Sequence, residues 1–140
     1  MEKTTQEKYK IAVIEDEVVV SAPLAEELTD ADFAVIQASD GESGLALVLR
    51  EKPDLILLDI VMPKMDGMTM MNRLRASGDF GKQVPIILLT NLNPDDAVMS
   101  GVTKNEPAYY LVKSSYALTD VVAKVKECLA KGRTDSNPNP

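Results

Sequence analysis

Asp59 is the only charge at the end of the apolar run Leu55-Ile56-Leu57-Leu58, and Ile60-Val61-Met62-Pro63 follows it. A strand that is apolar at nearly every position belongs in a sheet covered on both faces, where a carboxylate is costly unless the site uses it. The design recurs along the chain. Tyr9 to Ile14 ends in Glu15-Asp16-Glu17, Pro85 to Leu89 ends in Thr90, and Tyr109 to Val112 ends in Lys113. Open α/β sheets bind ligands outside the carboxyl ends of their strands, so these strand exits predict one composite site.

Glu15, Asp16 and Asp59 are expected to meet at the top of the neighbouring first and third strands. Two unit charges about 4 Å apart repel by roughly 4 kcal/mol at an effective dielectric of about 20, so such a cluster recruits a cation or a proton. Oxygen donors without histidine or cysteine select a hard metal, and magnesium is the expected ion, because it accepts one or two carboxylates and completes its octahedron with water or phosphate oxygen. Thr90 and Lys113 offer the phosphate a hydroxyl donor and a point charge.

The elements that must position these groups alternate between strand and helix. Val18 to Asp30 has a helical pattern with Leu24 and Leu28 on one face, and Pro23 implies either a start near Ser21 or a kink. Phe33 to Ala38 reads as a strand. Ser39-Asp40-Gly41-Glu42 has capping-box spacing, with Ser39 as the cap of a helix through Leu45, Leu49 and Arg50, ended by Lys52-Pro53-Asp54. Pro63-Lys64-Met65-Asp66-Gly67 marks a turn into a third helix from Met68 to Ala76, which Ser77-Gly78-Asp79 breaks. A fourth predicted helix, Ala97 to Lys104, contains Gly101, Val102 and Thr103 and is expected to be short or mobile. The last helix, Ala117 to Ala130, carries Leu118, Val121, Val122, Val125 and Leu129 on one stripe.

Five short strands alternating with five helices predict an α/β fold of the flavodoxin-like kind: a doubly wound, five-stranded parallel sheet in the order 2-1-3-4-5. Residues 1–8 are expected to form a flexible amino-terminal segment, residues 9–131 one domain, and residues 132–140, which lack apolar side chains, a disordered tail.

Composition excludes several function classes. With 15 basic and 22 acidic residues the formal charge is -7, which argues against direct binding of nucleic acid. No apolar stretch approaches the roughly 20 residues that span a bilayer, and Met1 to Lys8 has no apolar export signal, so membrane insertion is not expected and a cytoplasmic location is. The absence of histidine removes Ser-His-Asp and Cys-His catalysis and histidine metal sites. Cys128, the single cysteine, is expected to be a small core residue of the last helix. The methionines Met62, Met65, Met68, Met70 and Met71 read as core filler in preference to an adaptable binding surface.

Val13-Ile14-Glu15-Asp16-Glu17, Asp54 to Pro63, Met65-Asp66-Gly67, Pro85 to Thr90 and Tyr110-Leu111-Val112-Lys113 occur in the order and at the spacing of the receiver domains of two-component response regulators. The chain resembles that CheY-like family from Lys10 to about Leu129. The resemblance implies that Asp59 accepts a phosphoryl group from the phosphohistidine of a sensor histidine kinase in a Mg²⁺-dependent reaction. It implies that Asp16, Asp59 and the backbone carbonyl of Val61 hold the metal, with Glu15, one methylene longer than the more frequent aspartate, acting through water. Thr90 and Lys113 would contact the phosphoryl group. Thr90 and Tyr110 match the family's switch pair, which would bias the surface of the fourth predicted helix, fifth strand and last helix. A protein of this kind is a phosphoacceptor and not an enzyme acting on other substrates. Because only a short tail follows, a stand-alone receiver is expected, one that binds a downstream target protein or relays to a histidine phosphotransfer protein.

Two departures from the family pattern carry expectations. Ser114 stands where proline usually follows the lysine, so the Lys113–Ser114 peptide is expected to be trans. Val61 and Leu92 occupy the two positions that modulate attack by water, and neither side chain can hydrogen-bond a water, so a long-lived phosphoryl state is expected. Other classes fit less well. A phosphoaspartate hydrolase needs a second aspartate where Val61 stands, and Glu15-Asp16-Glu17 would repel the phosphate of a flavin or dinucleotide. A non-phosphorylated pseudo-receiver serving as an interaction module is the serious alternative, disfavoured by the joint presence of Asp59, Asp16, Thr90 and Lys113.

Overall fold

Apolar strands flanked by amphipathic helices form a sheet with a helical layer on each face. The computed structural model describes residues 8–90, 109–112 and 117–135, with the side chains of residues 90, 109–112 and 132–135 outside that description. In chain order the elements are β1 (Lys10–Ile14), α1 (Val18–Asp30), β2 (Ala34–Ala38), α2 (Gly41–Glu51), β3 (Leu55–Asp59), α3 (Gly67–Arg75), α4 (Asp79–Gln83), β4 (Ile86–Thr90), β5 (Tyr109–Val112) and α5 (Leu118–Asp135). The five strands are parallel in the order β2-β1-β3-β4-β5, as expected.

Alternation along the strands builds two cores. Ala12, Ile14, Ile56, Leu58, Ile86 and Leu88 face Val48 of α2 and Met70, Met71 and Leu74 of α3. Ile11, Val13, Leu55, Leu57, Ile87 and Leu89 face Leu24 and Leu28 of α1 and Val121, Val125 and Cys128 of α5. Both faces are covered, which is why β1, β3 and β4 read as continuous apolar runs and not as alternating ones. Met62, Met65, Met68, Met70 and Met71 all belong to the first core or pack against it, so the filler reading holds.

The register of β1 against β3 is tied at the amino end of the strands. Lys10 N donates to Asp54 Oδ2 at 2.7 Å, Asp54 N donates back to the Lys10 carbonyl at 2.8 Å, and Lys10 Nζ meets Glu51 Oε1 at 3.1 Å. A parallel ladder started there places Ile14 beside Leu58 at the other end.

Several local expectations change. Val20 and Ser21 already donate to the Glu17 carbonyl, each at 2.9 Å, so α1 keeps the expected span Val18–Asp30 with Pro23 inside it, and the alternative of a start near Ser21 falls away. The donor missing at Pro23 is outweighed by burial of Ser21, Leu24, Ala25 and Leu28. The cap of α2 is Asp40 and not Ser39: its Oδ1 accepts from Ser43 N at 2.8 Å, one position later than capping-box spacing implied. Any of several adjacent short polar side chains can cap, and packing of the first turn selects among them. Lys52, at φ 47°, ends α2 in the left-handed conformation. Asp66 caps α3 through Thr69 N at 2.8 Å, so that helix begins at Gly67.

Beyond the break at Ser77-Gly78 lies α4, which sequence periodicity did not reveal because it is only 5 residues long. Arg75 secures it: Nη1 donates to the carbonyls of Gly81 at 2.9 Å and Val84 at 2.7 Å. At the other end of the chain, α5 continues to Asp135, so residues 132–135 of the expected tail are helical. A long packed helix adds further turns at one hydrogen bond per residue, and the apolar stripe marks where it packs, not where it stops. Residues 1–7, the fourth predicted helix at 97–104 and residues 136–140 lie outside the described residues, as do Leu92 and the Lys113–Ser114 peptide.

Cys128 is 4% exposed, and burial pushes its thiol up to about 11, with Glu127 adding to the rise. Alkylation by iodoacetamide near pH 8 is therefore expected to be slower in the folded protein than in denaturant by on the order of a hundredfold; equal rates by mass spectrometry would contradict this burial. Two carboxylates sit below their ordinary range: Asp40 through the Ser43 amide, with Lys64 adding to it, and Glu51 through Lys10 and Arg50. A depressed folded pKa contributes stability that is present above the unfolded value and is lost as pH falls through the folded one. Wild-type Tm is thus expected to fall more steeply than that of Asp40→Asn between about pH 5 and 3, and parallel Tm profiles would refute the contribution of Asp40.

Candidate phosphoacceptor and metal site

Strand register brings the acidic residues together. Asp59 continues the row of Leu55 and Leu57, Glu15 continues that of Ile11 and Val13, and the ladder from Ile11↔Leu55 to Ile14↔Leu58 sets these rows side by side. Asp59 closes β3, and Glu15 stands one residue beyond β1, its amide donating to the Ala38 carbonyl at 3.0 Å. Each of Glu15, Asp16 and Asp59 offers a carboxylate oxygen, and these atoms all lie within 4.8 Å of one another. Glu15 and Asp59 are buried at 2% and 4% exposure, while Asp16 reaches solvent.

Glu15 has a second task that its spacing to Glu17 foreshadows. Its Oε2 accepts from Glu17 N at 3.0 Å, the amide at the start of α1, where Glu17 itself provides no side-chain cap. One carboxylate thereby joins the acidic cluster to the first turn of a helix.

The residues present fit a hard divalent cation. Carboxylate oxygens within 4.8 Å repel by about 3 to 4 kcal/mol per charged pair at an effective dielectric of about 20. Opposite oxygens of a magnesium octahedron lie about 4 Å apart, so small inward shifts or an intervening water would bring these donors onto one ion. No nitrogen or sulfur donor is among them, which favours Mg²⁺ over softer metals.

The segment leaving Asp59 is folded tightly. Gly67 N donates to the Ile60 carbonyl at 2.7 Å, and Met65 N donates to the Pro63 carbonyl at 2.7 Å. Val61 lies in this segment and is 63% exposed. Lys64 adopts φ 69°, and its Nζ stands 3.9 Å from Asp40 Oδ2 at the start of α2. Neither the Lys64–Asp40 contact nor the role of Asp54 at the base of the ladder was read from the sequence, because both join residues distant along the chain.

Thr90 is the last residue of β4, on the strand next to Asp59, and β4 sets it opposite Val112 of β5; Tyr110 lies opposite Leu88. The backbone therefore brings Thr90 and Tyr110 to the strands beside β3, while their side chains and the whole of Lys113, the residue after Val112, fall outside the described residues. Among the described residues, no helix is long and apolar enough to cross a membrane.

Comparison with known proteins agrees with this architecture. The family model described as the response regulator receiver domain matches residues 11–126. The transcriptional regulatory protein AfsQ1 of Streptomyces coelicolor is 32% identical over 126 residues, which cover 90% of this chain and 53% of that protein. The chain thus spans about half the length of the curated relatives it matches. Among solved structures, the BeF3-activated receiver domain of Klebsiella pneumoniae RstA is 32% identical with a TM-score of 0.74, covering 86% of this chain and 97% of that one. The receiver domain of a sensor histidine kinase from Pseudomonas aeruginosa, with a magnesium ion coordinated in its active site cleft, shares the fold at a TM-score of 0.79 and 23% identity, covering 89% and 99% of the two chains. The sheet order, the acidic residues at its carboxyl edge and the match over residues 11–126 together show that this chain belongs to the response regulator receiver domain family of two-component signalling.

Proposed function

We propose that Asp59 is the phosphoacceptor of this receiver, taking a phosphoryl group from the phosphohistidine of a sensor histidine kinase. The convergence of Glu15, Asp16 and Asp59 within 4.8 Å at the carboxyl edge of the sheet carries this reading. An Asp59 carboxylate oxygen attacks phosphorus and forms a P–O bond as the P–N bond breaks; the imidazole nitrogen leaves with the electron pair, giving an acyl phosphate. The protein's contribution to such a transfer is position and charge, not covalent chemistry beyond the acceptor. Asp16 and Asp59, with the Val61 carbonyl and Glu15 through water, would hold Mg²⁺, which supplies charge neutralisation to the transferring phosphoryl oxygens.

Thr90 and Lys113 complete the proposed site as hydroxyl and ammonium partners of the phosphoryl group, and Thr90 with Tyr110 forms the proposed switch. The output is an interaction: phosphorylation alters the surface around β5 and α5, and a target protein or a histidine phosphotransfer protein reads the change. The protein then acts as a signalling phosphoacceptor in the cytoplasm and not as an enzyme on other substrates.

Incubation with phosphoramidate and Mg²⁺, followed by intact mass measurement, is expected to show one phosphoryl adduct on the wild type and none on Asp59→Asn or after chelation of the metal. If phosphohistidine donors also left the wild type unmodified, the pseudo-receiver reading would replace this one. Val61, exposed and apolar beside the acceptor, cannot orient an attacking water through its side chain. Val61→Asn is accordingly expected to shorten the phosphoryl half-life by about tenfold, measured as adduct decay after donor removal; an unchanged half-life would show that water orientation at this position is not limiting.

A further inference from the structure

We infer that Gly41 and Gly67, the first residues of α2 and α3, are positioning residues that clamp the segment after Asp59 and so hold its carboxylate in the acidic cluster. This inference rests on the phosphoacceptor reading above. A Cβ added to Gly67 would collide with the Asp59 carbonyl oxygen and come within 2.8 Å of the Ile60 Cα. A Cβ added to Gly41 would collide with the Met65 carbonyl oxygen and lie 2.7 Å from its carbon and 2.9 Å from its Cβ. All but the last of these neighbours are backbone atoms, which cannot rotate away as the end of a side chain can.

The two contacts act at different points of one short segment. At its ends, the α3 amino terminus bears on Asp59 itself and Gly67 N closes on the Ile60 carbonyl at 2.7 Å. In its middle, the α2 amino terminus bears on Met65, and Asp40, the cap of α2, draws in Lys64 across 3.9 Å. Lys64 is held at φ 69°, a left-handed conformation that a residue with a Cβ keeps only where its surroundings require it. Propensity gives no reason for glycine as the first residue of a helix, and the space at both places admits no Cβ. Because Asp59 is the last residue of β3, pushing this segment outward rotates the strand end that aims its carboxylate at Glu15 and Asp16.

The probe is Mn²⁺, with free ion counted by electron paramagnetic resonance, alongside thermal melting of the same samples. Gly41→Ala and Gly67→Ala are each expected to raise the Kd for Mn²⁺ by about tenfold, since displacement by a fraction of an ångström spoils a multidentate site. Gly81→Ala supplies the comparison for simple destabilisation: its Cβ would collide with the Leu74 carbonyl oxygen, on the far side of α3 from Asp59 in sequence, so Tm falls while Kd stays within about twofold of wild type. A folded Gly41→Ala with wild-type affinity would overturn the clamp. Should that variant not melt cooperatively, Asp40→Ala decides, because it frees the first turn of α2 without adding volume; a Kd no higher than that of Asp40→Asn, which keeps the cap acceptor but not the charge, overturns the clamp as well. Absence of Mn²⁺ binding by the wild type would instead refute the metal site, and with it the reading on which the clamp rests.

Discussion

The pairing of β1 with β3 is the constraint on which the rest of the structure depends. It begins in the reciprocal bonds between Lys10 and Asp54 and ends with Ile14 beside Leu58, one step short of Glu15 and Asp59. Side chains alternate with a period of two along a strand, so a slip of one residue would turn Asp59 to the opposite face from Glu15. The buried rows of both strands oppose that slip, since each apolar residue of β1 and β3 already packs into one of the two cores. An ionic and hydrogen-bonded tie at one edge of the sheet thus specifies an acidic cluster at the other.

That cluster is held by elements that have no chemistry of their own. Glu15 is tied to the start of α1 through the Glu17 amide, Asp59 is bounded by the start of α3, and the intervening segment leans on the start of α2. Two helix amino termini therefore touch residues of the acidic cluster, and a third bears on the segment that follows Asp59.

A buried group of like charges is unfavourable without its counter-ion. In the proposed function, a metal would relieve the repulsion between the two carboxylates at 2% and 4% exposure, and a phosphoryl group would rearrange it. The apolar strands behind them provide the rigidity against which such a change is felt, because close-packed layers transmit displacement instead of absorbing it.

The strand order 2-1-3-4-5 was one common solution for such an alternation, while the sequence by itself determined the alternation of elements, the acidic trio and the core role of Cys128 and the methionines. These follow from local pattern: apolar runs of strand length, caps and breakers between them, and charges at strand exits. Family likeness added the role expected of Asp59. Boundaries were less legible. Pro23 lies within α1 because burial of Leu24 and Leu28 outweighs one lost donor, and Asp40 caps α2 in place of Ser39 because the position of the first turn is chosen by packing. The short α4 and the last turn of α5 carried no apolar period to announce them. Only the tertiary structure decided that Asp54 sets the register, that Lys64 meets Asp40, and that Gly41 and Gly67 press on the backbone around Asp59. Each of these is a contact between residues far apart in the chain or a space too small for a Cβ, and neither leaves a periodic trace in the order of residues.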